Sequence, residues 1–230
     1  MVQALTFSGI TRTGTRPLAA AIERLIIAGW TGRDSAAVEA HIEELVRLGV
    51  ARPKTTPIFY RVAAQLLTTA GAIEVMGPDT SGEVEPVVVS LADGLWVGVG
   101  SDHTDRVQEA HGVTLSKQLC AKPVAPTLWR HEEVEGHWDR LVVRSYATID
   151  NRRRLYQEGS LAALRPPLEL MAKYLNNNDV LPPGSVMFGG TMAVQGGIEP
   201  ARRFEIELDD PVLGRKITHA YDILCLPVEG

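Results

Sequence analysis

Cysteine is scarce in this chain. Two residues, Cys120 and Cys225, stand among 230. Two cysteines cannot build a disulfide framework, and neither sits in a C-x-x-C pair. The expectation is a pair of reduced, packed thiols in a cytoplasmic protein. Long apolar runs are missing as well. Nothing approaches the ~18 residues that a membrane-spanning helix needs, so no membrane partner is expected. The N-terminus, MVQALTFSGITR, lacks a basic start followed by an apolar stretch, and no signal peptide is read there. Positive charge is not in surplus either. With 23 basic and 28 acidic side chains the formal net charge is −5, a balance that argues against nucleic acid as a partner.

What is present describes an ordinary globular protein. Apolar residues make up 45% and charged residues 22%. The length suits one large domain or two small ones, with enough chain for a proper core. ERLIIAGW (23–30) reads as a buried strand closed by a glycine. TGRDSAAVEAHIEELVRLGV reads as a helix capped by Asp34 or Ser35, with Val38, Ile42 and Leu45 on one stripe and Gly49 as its end. ARPKTTPI (51–58) reads as a loop, and a short helix is expected over about 60–68. After residue 72 the texture turns to strands, at about 72–75, 84–91, 95–101, 140–149, 185–188, 203–208 and 215–221. One helix interrupts them, starting at Pro166-Pro167. Gly214 marks a hairpin. The organisation expected is α+β and mostly β. A small N-terminal α/β segment carrying the helix (1–56) is followed by a β-rich body (57–230), the two forming one compact unit.

The stretch GEVEPVVVSLADGLWVGVGSD carries the main chemical signal. Side chains two apart on a strand share a face, so Glu83 and Glu85 point the same way. Asp93-Gly94 is a two-residue hairpin signal. With those residues as the loop, Glu85 lies opposite Asp102, and Glu83 stands on the same face one pleat further out. Three carboxylates then share one patch. Like charges directly opposed destabilise a strand pair and raise carboxylate pKa values. A divalent cation removes that cost, and an all-oxygen donor set suits Mg²⁺, Mn²⁺ or Ca²⁺ rather than Zn²⁺. Three ligands leave positions open for water and substrate. The alternative is that the strand ends are solvated and the acids merely sit in water.

The motif order resembles the fumarylacetoacetate hydrolase superfamily. GEVEPVVV, VGVGSDHTDR, LSKQLCAKPVAP and SVMFGGTMAVQGG follow one another as that family's ExE strand, metal-Asp strand, lysine segment and Gly-Thr turn do. AGWTGRD with AHIEELVRLG resembles its strand–GRN–helix segment carrying an H-x-x-E lid dyad. LYQEGSLAAL resembles the stretch where its central strand gives way to a helix. The likeness spans roughly residues 25–225. IFYRV replaces an FLKP-like stretch, Ser101 stands where Asn is usual, Met192 replaces a proline of GTPxGVG, and Pro86 follows the ExE pair. The chain therefore resembles a divergent bacterial branch.

The resemblance implies a mixed β-roll or distorted barrel, usually dimeric. It implies Mg²⁺ or Mn²⁺, with Ca²⁺ as a substitute, on Glu83, Glu85 and Asp102. It places Lys117 at the active-site lysine, His41 and Glu44 at the lid dyad, and Arg106, Gly190 and Thr191 against the substrate. The reaction it implies is hydrolysis of a C–C bond in an acylpyruvate-like 2-oxo acid or diketone through a metal-stabilised enolate. Decarboxylase, hydratase and tautomerase reactions use the same chemistry, and a catalytically silent oxo-acid binder is the non-enzymatic alternative. His131 and His137 lack the spacing of HExxH, which excludes a zinc protease. His103 alternates away from Asp102, and Trp129 and Trp138 are expected to pack.

Overall fold

The run from Val84 to Leu91 carries four β-branched valines and is buried along nearly its whole length, as suits an extended chain covered on both faces. In the computed structural model, which describes residues 2–47, 52–177 and 180–229, this run is the centre of an eight-stranded sheet. In chain order the elements are β1 (Gln3–Thr11), β2 (Gly14–Ile22), β3 (Arg24–Gly29), α1 (Ser35–Arg47), β4 (Ile58–Val62), β5 (Leu67–Thr68), β6 (Ala72–Met76), β7 (Thr80–Ser81), β8 (Val84–Leu91), β9 (Gly94–Ser101) and β10 (Thr104–Asp105). There follow α2 (Arg106–Glu109), α3 (Val113–Gln118), β11 (Lys122–Pro123), β12 (Thr127–Arg130), β13 (Val142–Ile149), β14 (Arg152–Ser160), α4 (Pro167–Leu175), β15 (Ser185–Phe188), β16 (Arg203–Asp210) and β17 (Arg215–Leu226).

The large sheet runs β2-β1-β12-β9-β8-β15-β3-β4 and curls into a half-barrel. A second sheet runs β14-β13-β16-β17-β6. The protein is mostly β, as expected. Alternation along β8 and β9 sorts side chains into two cores. Val84, Val88, Val97 and Val99 join Phe204, Ile206, Leu208 and Ile217 of the second sheet and Leu170 of α4. Val87, Val89 and Trp96 face Leu25, Ile27, Leu128 and Phe188 within the curl. Fully burying one such aliphatic side chain contributes about 1.5–3 kcal/mol.

Four strand ends meet at the same end of this sheet. β8 begins and β9 ends there. β15 runs antiparallel to β8, with Phe188 opposite Val87, so Gly189 and Gly190 emerge beside the start of β8. β3 is parallel to β15, so Thr31 emerges there too.

Over the first 70 residues the structure departs from expectation twice. The helix expected over 60–68 is β4 followed by a single 3-10 turn at Ala64–Leu66. IFYRV is aromatic and β-branched, and it zips antiparallel onto β3 from Leu25↔Val62 to Gly29↔Ile58. The β1–β2 hairpin was not expected at all. Its second strand buries Leu18, Ala20 and Ile22 in alternation, but the alanines of PLAAAI dilute the pattern. The strands expected from residue 72 onward are present to within a few residues, β17 being longer than expected, but β12 and β14 were not among them. The Pro166-Pro167 start of α4 and the hairpin at Gly214 are also present. No helix among the described residues is long and apolar enough to cross a membrane.

Candidate metal centre

Strand register decides what the acids meet. The β8–β9 loop is Ala92-Asp93 rather than Asp93-Gly94, with Leu91 opposite Gly94. Asp93 is held in that turn from three sides. Trp96 Nε1 donates to its Oδ1 at 3.1 Å, Arg130 donates to its carbonyl at 2.6 Å, and Arg16 pairs with its carboxylate. Every partner therefore moves by two. Glu85 faces Gly100, and Asp102 lies opposite Glu83, its N–H donating to Glu83 O at 3.0 Å. A shift of two keeps every side chain on its face, whereas a shift of one would have scattered the acids. The cluster forms as expected: one carboxylate oxygen from each of Glu83, Glu85 and Asp102 lies within 4.8 Å of the others.

Burial makes this cluster electrostatically demanding. Asp102 and Glu85 are buried, and the Glu83 side chain is 17% exposed. Lys117, on α3, hydrogen-bonds Asp102 Oδ2 and lies 3.5 Å from Glu83 Oε2. Lys122, on β11, has its Nζ 3.1 Å from Asp102 Oδ1 and donates to His103 O at 2.6 Å. Arg106 opens α2, which Asp105 caps by accepting from Gln108 N–H. Its guanidinium reaches Glu83 at 3.0 Å, Glu109 at 2.9 Å and Ser81 Oγ at 2.6 Å.

These contacts split the acids. Burial alone would raise Glu83, but Arg106 and Lys117 outweigh it and bring its pKa down to about 2. Glu85 goes the other way. Burial, then the charges of Asp102 and Glu83, hold its proton well above the ordinary carboxylate range. Burial works against the Lys117 charge, yet Asp102 and Glu83 more than compensate and raise its pKa. Burial depresses Lys122 despite Asp102 beside it.

The donor set fits a hard divalent cation. All three donors are carboxylate oxygens. Asp102 Oδ1 is buried and accepts no hydrogen bond, because the Lys122 ammonium lies near it without the alignment of one. A cation at this oxygen would compete with the Lys122 ammonium, 3.1 Å away.

The turn after β15 completes the site. Gly190 N–H donates to Glu85 Oε2 at 2.8 Å. Gly190 has φ +96, and a Cβ there would sit 1.8 Å from Thr31 Oγ1, so only glycine fits. The Thr191 hydroxyl donates to Val84 O at 2.8 Å. Its proton is thereby committed to the backbone between the two glutamates.

His41 and Glu44 both lie on α1, but the placement of their side chains falls outside the described residues. His103 is buried between Tyr221 OH (3.0 Å) and Thr80 Oγ1 (2.9 Å), turned away from the acids as alternation requires. Trp129 and Trp138 are buried, and His137 pairs with Asp210 at 2.9 Å.

Two residues at the site went unread in the sequence. Lys122 stands five residues beyond Lys117, and a lysine flanked by Ala121 and Pro123 in an apolar stretch is the signal that could have found it. Gln157 is buried on β14. Its Oε1 accepts from Val84 N–H and Ser145 Oγ, both at 3.0 Å, and its Nε2 donates to Thr191 Oγ1 at 2.8 Å and Met192 O at 2.6 Å. No local pattern announces it.

This architecture recurs among solved structures. The chain superposes on a 2-keto-3-deoxyarabinonate dehydratase with a TM-score of 0.66 at 16% identity, over 94% of this chain and 78% of that one. For a 2-hydroxyhepta-2,4-diene-1,7-dioate isomerase from Mycobacterium marinum the TM-score is 0.63 at 16% identity, over 93% and 79%. For the yeast protein ynq8, of the fumarylacetoacetate hydrolase family, it is 0.63 at 17% identity, over 90% and 95%. At such identities the likeness is one of fold, and the fold is that of the fumarylacetoacetate hydrolase superfamily, as the motif order implies. No curated protein matches the chain by sequence. Residues 28–221 match the family model described as "Protein of unknown function (DUF2848)", and the chain belongs to that family.

Proposed function

We propose that the protein is a divalent-metal-dependent hydrolase that cleaves a C–C bond in an acylpyruvate-like 2-oxo acid. The observation that carries the reading is the convergence of Glu83, Glu85 and Asp102 within 4.8 Å, one of their oxygens buried and without a hydrogen bond. Mg²⁺ or Mn²⁺ held there would supply Lewis-acid stabilisation for negative charge gathering on a substrate oxygen.

The chain's own groups divide the remaining work. Arg106 fixes Glu83 and keeps it ionised. Gly190 N–H fixes Glu85. Lys117, 8% exposed and beside both Glu83 and Asp102, places a positive charge where a 2-oxo carboxylate would lie. His41 and Glu44 stand three apart on α1, a spacing that shares one helix face. In this reading Glu44 orients His41, and His41 takes a proton from water. The water oxygen bonds to the acyl carbon, the C–C electron pair moves onto the 2-oxo fragment, and that carbon then takes a proton.

A second reading has one observation behind it. Lys117 and Lys122 flank Asp102 closely enough to offset its charge without a metal, as a catalytically silent oxo-acid binder would need. Metal titration followed by a panel of acylpyruvates and oxaloacetate separates the two. Turnover that requires Mg²⁺ or Mn²⁺, and that EDTA and Glu83→Ala each abolish, supports the hydrolase. His41→Ala should cut turnover and leave metal affinity unchanged. Tight metal binding with no turnover across the panel sinks the enzymatic reading.

A further inference from the structure

Tyr60 stands on β4, at the edge of the large sheet, and supplies no ligand to the metal centre. Register places it opposite Ile27 of β3, and it packs against the core to which Val87 and Val89 belong. Glu85 lies two residues before Val87 on β8, so alternation puts Tyr60 and Glu85 on the same face. The ring does not rise straight from its own position. It leans over Gly29, two residues along β3 from Ile27, towards the end where Thr31 emerges. A Cβ on Gly29 would lie 3.1 Å from Tyr60 Cε2 and 4.0 Å from its Cδ2. Cε2 adjoins the carbon that bears the hydroxyl, so the hydroxyl-bearing end of the ring is the one that reaches over Gly29.

α3 is fixed against this strand. Gln118 Oε1 accepts from Ala63 N–H, just past β4, at 2.9 Å. Lys117, the residue before Gln118, holds its ammonium over the Tyr60 ring, 5.9 Å from the centroid. The same ammonium bonds Asp102 and lies 3.5 Å from Glu83. The ring therefore borders the metal centre, one lysine away from two of its three acids.

The hydroxyl itself is uncommitted. Tyr60 is half-buried, and its O–H has no hydrogen-bond partner among the described residues and is not sealed from solvent. Burial raises its pKa, Lys117 lowers it, and Glu109, Asp102 and Glu83 raise it again, with a net upward shift. The phenol keeps its proton at neutral pH and is a donor there. A site whose polar groups await a partner discriminates strongly against a ligand that lacks one.

An acylpyruvate carries its acyl oxygen two carbons beyond the 2-oxo carbon. With the 2-oxo acid end at the acids and Lys117, the arm needs its own wall, and the Gly29 side leads to Tyr60. Resting on the hydrolase reading, we propose that Tyr60 recognises the acyl arm, its phenol O–H donating to the acyl oxygen. The class selected is a 2,4-dioxo acid over a 2-oxo acid with a plain alkyl arm.

The test compares two acids that differ only in that oxygen, 2,4-dioxopentanoate and 2-oxopentanoate. Each is titrated calorimetrically into the whole chain in excess Mn²⁺, with KM read instead where the acid is cleaved. Tyr60→Phe keeps the ring and its contact with Lys117. It should weaken the 2,4-dioxo acid about 3–10-fold, as loss of one hydrogen bond does, and leave 2-oxopentanoate within about 2-fold. Losses of equal size for both acids, or none for either, overturn the proposal, and so does a wild-type protein that binds neither. A binding difference that survives without any turnover supports Tyr60 as the recognition residue and counts against the hydrolase reading alone.

Discussion

Replacing Gln157 tests whether the acidic pair is held from behind. Its buried amide makes four hydrogen bonds, and Val84, one of its partners, is the residue between Glu83 and Glu85. Gln157→Met keeps the volume and removes the polar end. Val84 N–H and the Ser145 hydroxyl then lose their acceptor inside the protein. A buried donor left without a partner costs about 1–3 kcal/mol, and the serine can rotate to soften its share, so about 2–4 kcal/mol is expected. That is a large part of a typical ~5–15 kcal/mol. Gln157→Glu differs in kind. One carboxylate oxygen can still accept from Val84, but the other is driven against Met192 O. Protonation relieves that clash, so the folded-state pKa of the new acid is raised, and the stability it costs returns as pH falls through that value. Urea unfolding across a pH series reads both variants, and calorimetry reads Mn²⁺ affinity, which should drop about 10–100-fold, as outer-shell changes do. A Gln157→Met protein within about 0.5 kcal/mol of wild type, a change typical of surface sites, refutes the reasoning.

Two further outcomes follow from the buried charges. His103 is held neutral by burial, and by Lys122 and Arg106, with its pKa lowered to about 3. The unfolded chain takes up that proton near pH 6.5, so metal-free stability should fall as pH drops from there toward 3, with a limiting slope of about 1.4 kcal/mol per pH unit. Glu83, depressed to about 2 against burial by Arg106 and Lys117, adds a second loss below about 4.5. Unfolding in EDTA should show His103→Gln with a flatter curve between pH 6.5 and 4.5, and an unchanged slope there contradicts the assignment. Glu85 retains its proton because of burial and its acidic neighbours. Metal binding should expel that proton, so the calorimetric enthalpy at mildly acidic pH should scale with the ionisation enthalpy of the buffer. Enthalpies that ignore the buffer mean the glutamate was already ionised.

What could be read in the sequence follows from what carries periodicity. The Val84–Leu91 and Leu95–Ser101 runs are strong strand signals, and face parity put the three acids together even though the turn residues were misplaced by one. The loop assignment failed because Asp93-Gly94 is a local signal, whereas the observed turn is set by Arg16, Trp96 and Arg130, two of them distant in sequence. Lys117 was legible only through motif order. Gln157 was not legible, because its four partners come from three separate stretches of chain. The bond from the Thr191 hydroxyl to Val84 O was not legible either, since it spans a 107-residue separation.

The charges around Asp102 explain why such a site tolerates burial, and they bear on what it would select. Four carboxylates, Glu83, Glu85, Asp102 and Glu109, are linked to three cations, Arg106, Lys117 and Lys122. The surplus is one negative charge, and the environment answers it by raising the pKa of Glu85 rather than that of Glu83. The reason lies in which acid has a cation against it: Arg106 bonds Glu83, while Glu85 has the neutral N–H of Gly190. On the proposed reading a divalent ion reverses the balance. With Glu85 ionised, the set would carry one positive charge in a largely buried place. A monocarboxylate neutralises it, and a neutral ketone of the same shape does not. Selection for a 2-oxo acid over its ester or amide would then come from this balance as much as from any single contact, and Lys122, fully buried beside Asp102, would matter to it through its charge.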